Sequence, residues 1–466
     1  MLLSKLFLKS LLLTSALAVV HISPAFADAK DDRIAAMEAQ MKIMMEEIQL
    51  LKAEKIVEDK EQATLKQQVQ AIEEKTDSAI ANIAPAAGGG MAYDDGVKVS
   101  MKGAAPKITK GDASWQPFGR MHLDAGHIND DAVDHPNSTE FRRARLGAKG
   151  KISKDFGYKF EVDFAGNGTS LTDVYLNYVG LDKTDIKIGH FKPAYSLEEM
   201  ASSNDLSFIE RSTAVDSFTS SRKLGVGFNT HDDNWSVAAG MFGGSAGTQS
   251  SDDEEYMVSG RVTALPVSEE DKLVHVGASA SYRSPDQAND TFDFDARAEN
   301  RLQVVDSVSA VITDADNAQV YGLEAAASLG SFHAQGEYLI TNVNNQAGND
   351  PTFAGGYGQV SWFATGEHRP YSASKGAFAA PKIARPFDLS QGDWGALELA
   401  ARYSHLDLND GGITGGEINN MTLGANWYLN DNIRFLANYI IVDTDNNAVT
   451  PNDDPQIAII RSQMKF

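Results

Sequence analysis

The residues from Phe141 to Lys151 read FRRARLGAKGK, three arginines and two lysines within a chain whose formal net charge is −23. Arg143, Arg145 and Lys149 alternate in parity with Ala144, Leu146 and Ala148. In a strand this alternation gives one apolar and one cationic face, because successive side chains point to opposite sides. A guanidinium keeps its charge and offers a planar fork of donors to phosphate or carboxylate. The chemistry on offer is reversible anion binding.

Other candidate motifs carry less. GGSAG at 243–247 has the nucleophile-elbow pattern, but it follows a strand pattern into a loop with no helix behind it. DTDNNAVTPNDD, from Asp443, has acidic spacing like a calcium loop. Ala448 stands there in place of the glycine the turn needs, and no helices flank it, so it reads as a solvated outer loop. The ten histidines are scattered, with no pair at helical ligand spacing. Zero cysteines exclude disulfides and thiolate metal sites. The expectation is a non-enzyme with no catalytic residue, no metal and no cofactor. The acidic balance argues against a nucleic-acid partner.

The elements that would position a cationic face follow from the pattern along the chain. Lys5 and Lys9 flank the apolar run LLLTSALAVV, and Ala25-Phe26-Ala27 fits a small-x-small cleavage site, so 1–27 reads as a signal peptide. Over 28–84, Ile34, Met37, Met41, Met44, Ile48 and Leu51 step by three and four. A polar interruption at Lys55, Glu58 and Gln62 comes next, and Leu65, Val69 and Ile72 then resume the same register. That is a heptad seam and predicts an α-helical coiled coil. Residues 85–114, opening with APAAGGGMAYDDG, read as a linker.

From Trp115 onward, short segments alternate apolar and polar residues. In MTLGANWYL the residues Met421, Leu423, Ala425, Trp427 and Leu429 share one parity; in IRFLANYII so do Ile433, Phe435, Ala437, Tyr439 and Ile441. Sixteen such segments can be counted over 115–466. Very short turns such as HDDN and LNDN alternate with longer polar loops, except that the long stretch 366–392 falls on the short-turn side. A soluble sandwich would also alternate. The aromatics near segment ends and the charges on the opposite face favour a membrane barrel, since a dry core would not hold those charges. The chain closes on IAIIRSQMKF, a last alternating segment with a terminal aromatic.

FRRARLGAKG, DVYLNYVGL, IKIGHFKPAYSLEEMASSNDLSFIERS, RKLGVGF and YGQVSWFATGEHRPYSASKGAF together resemble the phosphate-selective porins O and P, over roughly 115–466. The resemblance implies a 16-stranded homotrimer whose residues of about 191–221 fold inward as a constriction loop carrying Lys192, Glu198, Glu199, Glu210 and Arg211. Parity puts Arg120, Arg143, Arg145, Lys149, Lys187, Arg261, Arg402, Arg434 and Arg461 toward the lumen as anion contacts, with Lys159 beside them. It also turns Glu161, Asp163, Asp173, Glu324, Glu337 and Glu398 inward, and the loop adds Asp205 and Asp216 to its glutamates. A basic wall facing an acidic loop is the pattern of a general porin.

The fold class expected is an all-β transmembrane barrel of 16 antiparallel strands with an inward-folded third loop, preceded by the coiled coil. Its place would be the bacterial outer membrane, in contact with lipid, with the coil in the periplasm. It would pass small inorganic anions, phosphate or polyphosphate among them, by passive diffusion. The alternatives are a general diffusion porin and a structural tether whose coiled coil engages peptidoglycan. The mature chain should begin at Asp28; mass spectrometry of the outer-membrane fraction checks this, and a retained Met1 would refute it.

Overall fold

The computed structural model describes residues 96–466 apart from 167, 248–253, 270, 287–289, 347 and 448–451, together with Lys42 and Met45, which are helical. The leader expected over 1–27 and the rest of the coil expected over 28–84 lie outside the described residues. The chain divides into two compact units, Met1–Ala92 and Tyr93–Phe466. The second holds a barrel.

Its strands are β1 (Val97–Lys102), β2 (Ala105–Lys110), β3 (Ala113–Asn129), β4 (Ser138–Lys151), β5 (Phe156–Asp163), β6 (Ser170–Leu181), β7 (Thr184–Phe191), β8 (Lys223–His231) and β9 (Trp235–Phe242). Next come β10 (Met257–Ser268), β11 (Lys272–Arg283), β12 (Phe292–Ala296), β13 (Val308–Ile312), β14 (Ala315–Leu329), β15 (Phe332–Asn345) and β16 (Thr352–Phe363). The last are β17 (Tyr371–Ser372), β18 (Ala377–Phe378), β19 (Ala396–Asp410), β20 (Ile413–Tyr428), β21 (Ile433–Asn447) and β22 (Gln456–Lys465). Two short helices, α1 (Leu197–Met200) and α2 (Thr213–Phe218), lie between β7 and β8.

The main sheet has 18 strands, all antiparallel; β1 and β2 form a hairpin on the start of β3, and the other sixteen close on themselves. Closure is made by β22 on β3, in a register that pairs Ile457 with Ile128 and Arg461 with Asp124. A closed ring leaves no edge, so every ladder hydrogen bond is made within the wall; hydrocarbon would satisfy none of them. Among the described residues no helix is long and apolar enough to cross a membrane. That says nothing about a barrel, which crosses with strands. The β1–β2 hairpin occupies part of the stretch read as a linker: Val99, Met101 and Ile108 alternate with lysines and supply enough period-two pattern to pair.

Side-chain direction obeys the two-residue period. Leu146, Ile188, Leu323 and Ile460 stand exposed on the outer face, as lipid-facing groups must. Ile433, Phe435, Tyr439 and Ile441 do the same along β21. All five tryptophans lie at the end of the barrel where the short turns are. Trp362 stacks on Phe332 at 6.1 Å, and Trp427 donates its indole N–H to the Trp394 carbonyl at 2.7 Å. Tyr256 and Tyr282 stack near the opposite rim.

Three segments leave the wall and enter the lumen. One runs over 192–222 with α1 and α2, a second over 290–314 with the β12–β13 hairpin, and a third over 364–395 with β17 and β18. The third comes from the short-turn end, where the sequence places its long exception. The bed for the first two segments is a stretch of wall that is apolar on both faces: Leu406, Ile418, Leu436, Ile440, Ile457 and Ile459 point inward and pack with Ile209, Val215, Phe218 and Phe294.

One register change sets the direction of two arginines. Between His122 and Leu123 the β3–β4 pairing shifts, and Arg142 is the extra residue. This bulge turns both Arg142 and Arg143 inward, while Phe141 and Leu146 remain outside. Strict alternation would have put Arg142 in lipid. Leu146→Arg should lower barrel stability by about 2–4 kcal/mol, the cost of a cation near the bilayer midplane. Loss of the folded, heat-modifiable band on an unheated gel checks this; Leu146→Val should leave the band unchanged.

Candidate functional site

The constriction loop is held by charge. Glu210 lies within 3.0 Å of Arg142 Nε, 3.2 Å of Arg143 Nη1 and 2.7 Å of Arg461 Nη2. Arg461 also binds Asp124 at 2.6 Å and donates to the Ile209 carbonyl. Burial works against a charged Glu210, but the three guanidinia outweigh it and hold its carboxyl well below the usual range.

The same device repeats along the bed. Arg402 bridges Glu198 of the first lumen segment to Glu299 of the second and donates to the Glu210 carbonyl. Arg434 donates to the Leu206 carbonyl at 2.9 Å. Arg369, on the third segment, pairs with Glu398 at 2.7 Å and reaches the Asp205 carbonyl and the Ser207 hydroxyl of the first. Arg261 pairs with Glu324 and donates to the Gly376 carbonyl, which ties down the tip of the third segment. Glu337 accepts from the backbone N–H groups of Leu197 and Glu198 at the start of α1.

The space left open lies against the other side of the ring, chiefly β3 to β7. It is a cavity of about 780 Å³ lined by 14 lysines and arginines and 3 carboxylate residues. Each of those carboxylates is occupied: Asp173 by Lys159 and Arg222, Glu199 by Lys192 and Arg211, Asp216 by Arg301. Nearby, Glu161 holds Arg120 at 3.0 Å and Asp163 holds Arg145 at 2.6 Å. Lys187 pairs with Asp185 at 3.2 Å and Lys465 with Asp205 at 3.5 Å.

Three lysines have no carboxylate partner among the described residues: Lys102 at the tip of the β1–β2 hairpin, Lys149 on β4 and Lys375 on the third lumen segment. Lys149 and Lys159 stand over the Phe118 ring at 5.2 and 5.1 Å. At the constriction, burial and then the Arg211 charge pull the Lys192 ammonium down to about 7, with Glu199 opposing. The cavity therefore carries a net cationic field, with ammonium groups that have no carboxylate partner among the described residues at its turn-side mouth.

The nine basic residues expected at the lumen divide in two. Arg120, Arg145, Lys149 and Lys187 line the open cavity. Arg261, Arg402, Arg434 and Arg461 face inward but are buried as anchors of the lumen segments. Arg143 belongs to both groups: it borders the cavity, yet its side chain is buried and spent on Glu210. The acidic face expected across the pore is not there. Glu198 and Glu210 are turned to the wall arginines, and Glu199 is clasped by Lys192 and Arg211. Lys102, Arg142, Arg222, Arg301, Lys375 and Lys465 join the lining beyond the residues that the sequence assigns to it. Arg142 is hidden from parity by the bulge; Lys465 ends β22 with the inward parity of Arg461; Lys102, Arg222, Arg301 and Lys375 lie off the barrel strands, where parity says nothing.

The family described as phosphate-selective porin O and P matches residues 117–466. An uncharacterized protein of Caulobacter vibrioides is 31% identical over 377 residues, covering 77% of this chain and 74% of that one. Porin O of Pseudomonas aeruginosa is 27% identical over 418 residues, covering 78% of this chain and 92% of that one. Among solved structures, the anion-selective porin from Comamonas acidovorans is similar with a TM-score of 0.49 at 12% identity, covering 76% of this chain and 100% of that one. The trimer form of OmpT of Vibrio cholerae scores 0.49 at 12% identity, over 76% of this chain and 99% of that one.

Glu210→Gln removes the carboxylate that three arginines share. Breaking one side of a buried ion cluster costs about 3–5 kcal/mol, so the loop should leave its bed. Proteolysis within 192–222 and a larger, noisier single-channel conductance are the expected outcome; wild-type conductance with an unchanged unfolding midpoint would contradict it.

Proposed function

Because the chain belongs to the phosphate-selective porin O and P family and folds as an outer-membrane β-barrel porin channel, we propose that it conducts small inorganic anions, phosphate and polyphosphate among them, by passive diffusion. The observation that carries this reading is the cavity lining of 14 basic against 3 acidic residues, each of the acids already paired. An anion entering it meets successive cationic groups and no unpaired side-chain carboxylate. Conduction requires sites that bind and let go. Lysines without a partner suit that, since an ammonium is a hydrated point charge that exchanges water for phosphate oxygens without a fixed geometry.

Lys102, Lys149 and Lys375 would make the first contact from the turn-side mouth, and Arg120, Arg145, Lys187 and Lys192 would pass the anion toward the constriction. Arg143 would contribute field more than contact. The working unit is proposed to be a homotrimer in outer-membrane lipid, as the family resemblance implies. A second role rests on the heptad seam from Ile34 to Ile72: a periplasmic coiled coil over 28–84, after a cleaved leader of 27 residues, that tethers the barrel to peptidoglycan. A general diffusion porin is disfavoured by the pairing of the loop glutamates.

Reversal potential in a potassium chloride gradient tests the main reading. Wild type should favour chloride, and inorganic phosphate should block the chloride current. Lys102→Gln, Lys149→Gln and Lys375→Gln combined should shift the reversal potential toward zero and raise the half-blocking phosphate concentration by about tenfold, taking ~0.5 kcal/mol per exposed charge. An unchanged potential and block in the triple variant would overturn this assignment.

A further inference from the structure

Beside the cationic cavity, between the β7–β10 wall and the lumen segments, lies a smaller one of about 80 Å³. Its surface is of another kind. Phe191 and Phe242 meet edge to face at 5.2 Å, Gly227 and Ala238 form the floor, and Met200 closes it from the constriction loop. Phe191 can seat there because residue 227 has no side chain: a Cβ on Gly227 would come within 3.2 Å of the ring. The rim is polar and charged, with Asp185 (paired to Lys187), Asn229, Ser236, Arg261 and Ser374 beside three lysines, and it is shared. Lys187, Lys192 and Lys375 line both cavities, so the apolar recess opens onto the cationic channel.

An inorganic anion cannot use such a recess. Water against the Phe191 and Phe242 rings, Ala238 and Met200 finds few partners, and an apolar group that displaces poorly held water gains affinity. A water needs roughly 10–15 Å³ of such space, so the recess takes several waters or one six-membered ring. We propose that this niche holds the ring of a small organic phosphate, a monoaryl phosphate ester, while the phosphate head stays in the channel among Lys187, Lys192 and Lys375. The charge on the rim selects the head and the volume of the recess limits the tail. The inference rests on the anion-channel reading and names a class of solute within it.

Chloride current through the full-length protein in planar bilayers, titrated with inorganic, methyl, phenyl and naphthyl phosphate, all at one pH just below 7 where the Lys192 ammonium keeps much of its charge, tests it. Phenyl phosphate should block wild type at about tenfold lower concentration than methyl phosphate, the order expected for moving part of one ring out of water. Naphthyl phosphate should block no better than phenyl phosphate. Ala238→Leu, which fills the floor, should bring phenyl phosphate to the methyl phosphate value and leave the block by inorganic phosphate unchanged. Equal block by phenyl and methyl phosphate in wild type overturns the niche and leaves the anion channel standing. So does a ring preference that survives in Ala238→Leu. Absence of block by inorganic phosphate, with a reversal potential favouring potassium, overturns the channel reading and the niche with it. The wild-type series decides alone if the leucine variant does not assemble.

Discussion

Glu210 is one carboxylate held by three arginines, and the course of the pore depends on it. Arg142 and Arg143 come from β4 and Arg461 from β22, so the residue at the far side of the constriction loop is fixed to two parts of the ring at once. Three guanidinia so close together would repel one another and resist burial. The carboxylate makes their proximity tolerable, and they in turn make its burial tolerable. Neither side would be stable there without the other, which is why the loop has one place to lie.

The arginines and lysines of this lumen do different work. The groups that clamp the lumen segments are mainly arginines, namely Arg142, Arg143, Arg261, Arg369, Arg402, Arg434 and Arg461, with Lys465 on Asp205 the lysine among them. The described cavity cations left without a carboxylate are lysines. A planar guanidinium holds a carboxylate and a carbonyl together with little loss of freedom per bond, whereas an ammonium on a flexible stem stays hydrated and exchanges partners. Structure and transport thus draw on the same charge sign through two different side chains. The net acidity of the whole chain, −23, says nothing about the field inside it.

Strand parity carries much of this architecture in plain sight. The inward direction of Arg145 and Lys149, the outward direction of Leu146 and Phe435, and the closing strand through Arg461 all stem from a period of two. Parity tells which face a residue is on; it does not tell what waits there. Arg402 and Lys149 have the same parity status, yet one is sealed against Glu299 and the other is open. The signal that separates them lies in the neighbours. β21 and β22 carry Leu436, Ile440, Ile457 and Ile459 on the inward face, and a barrel strand apolar on both faces must have something other than water on its inside. The bulge at Arg142 leaves no such trace, because one extra residue reverses parity without changing composition.

The tryptophans occupy a single level of the barrel. Trp115, Trp235, Trp362, Trp394 and Trp427 are the chain's whole complement, and each lies at the short-turn rim. The indole emission of this protein is therefore the emission of one membrane interface, with no contribution from the long loops. A quencher confined to one leaflet of a vesicle reads which way the barrels point, and it does so without a label.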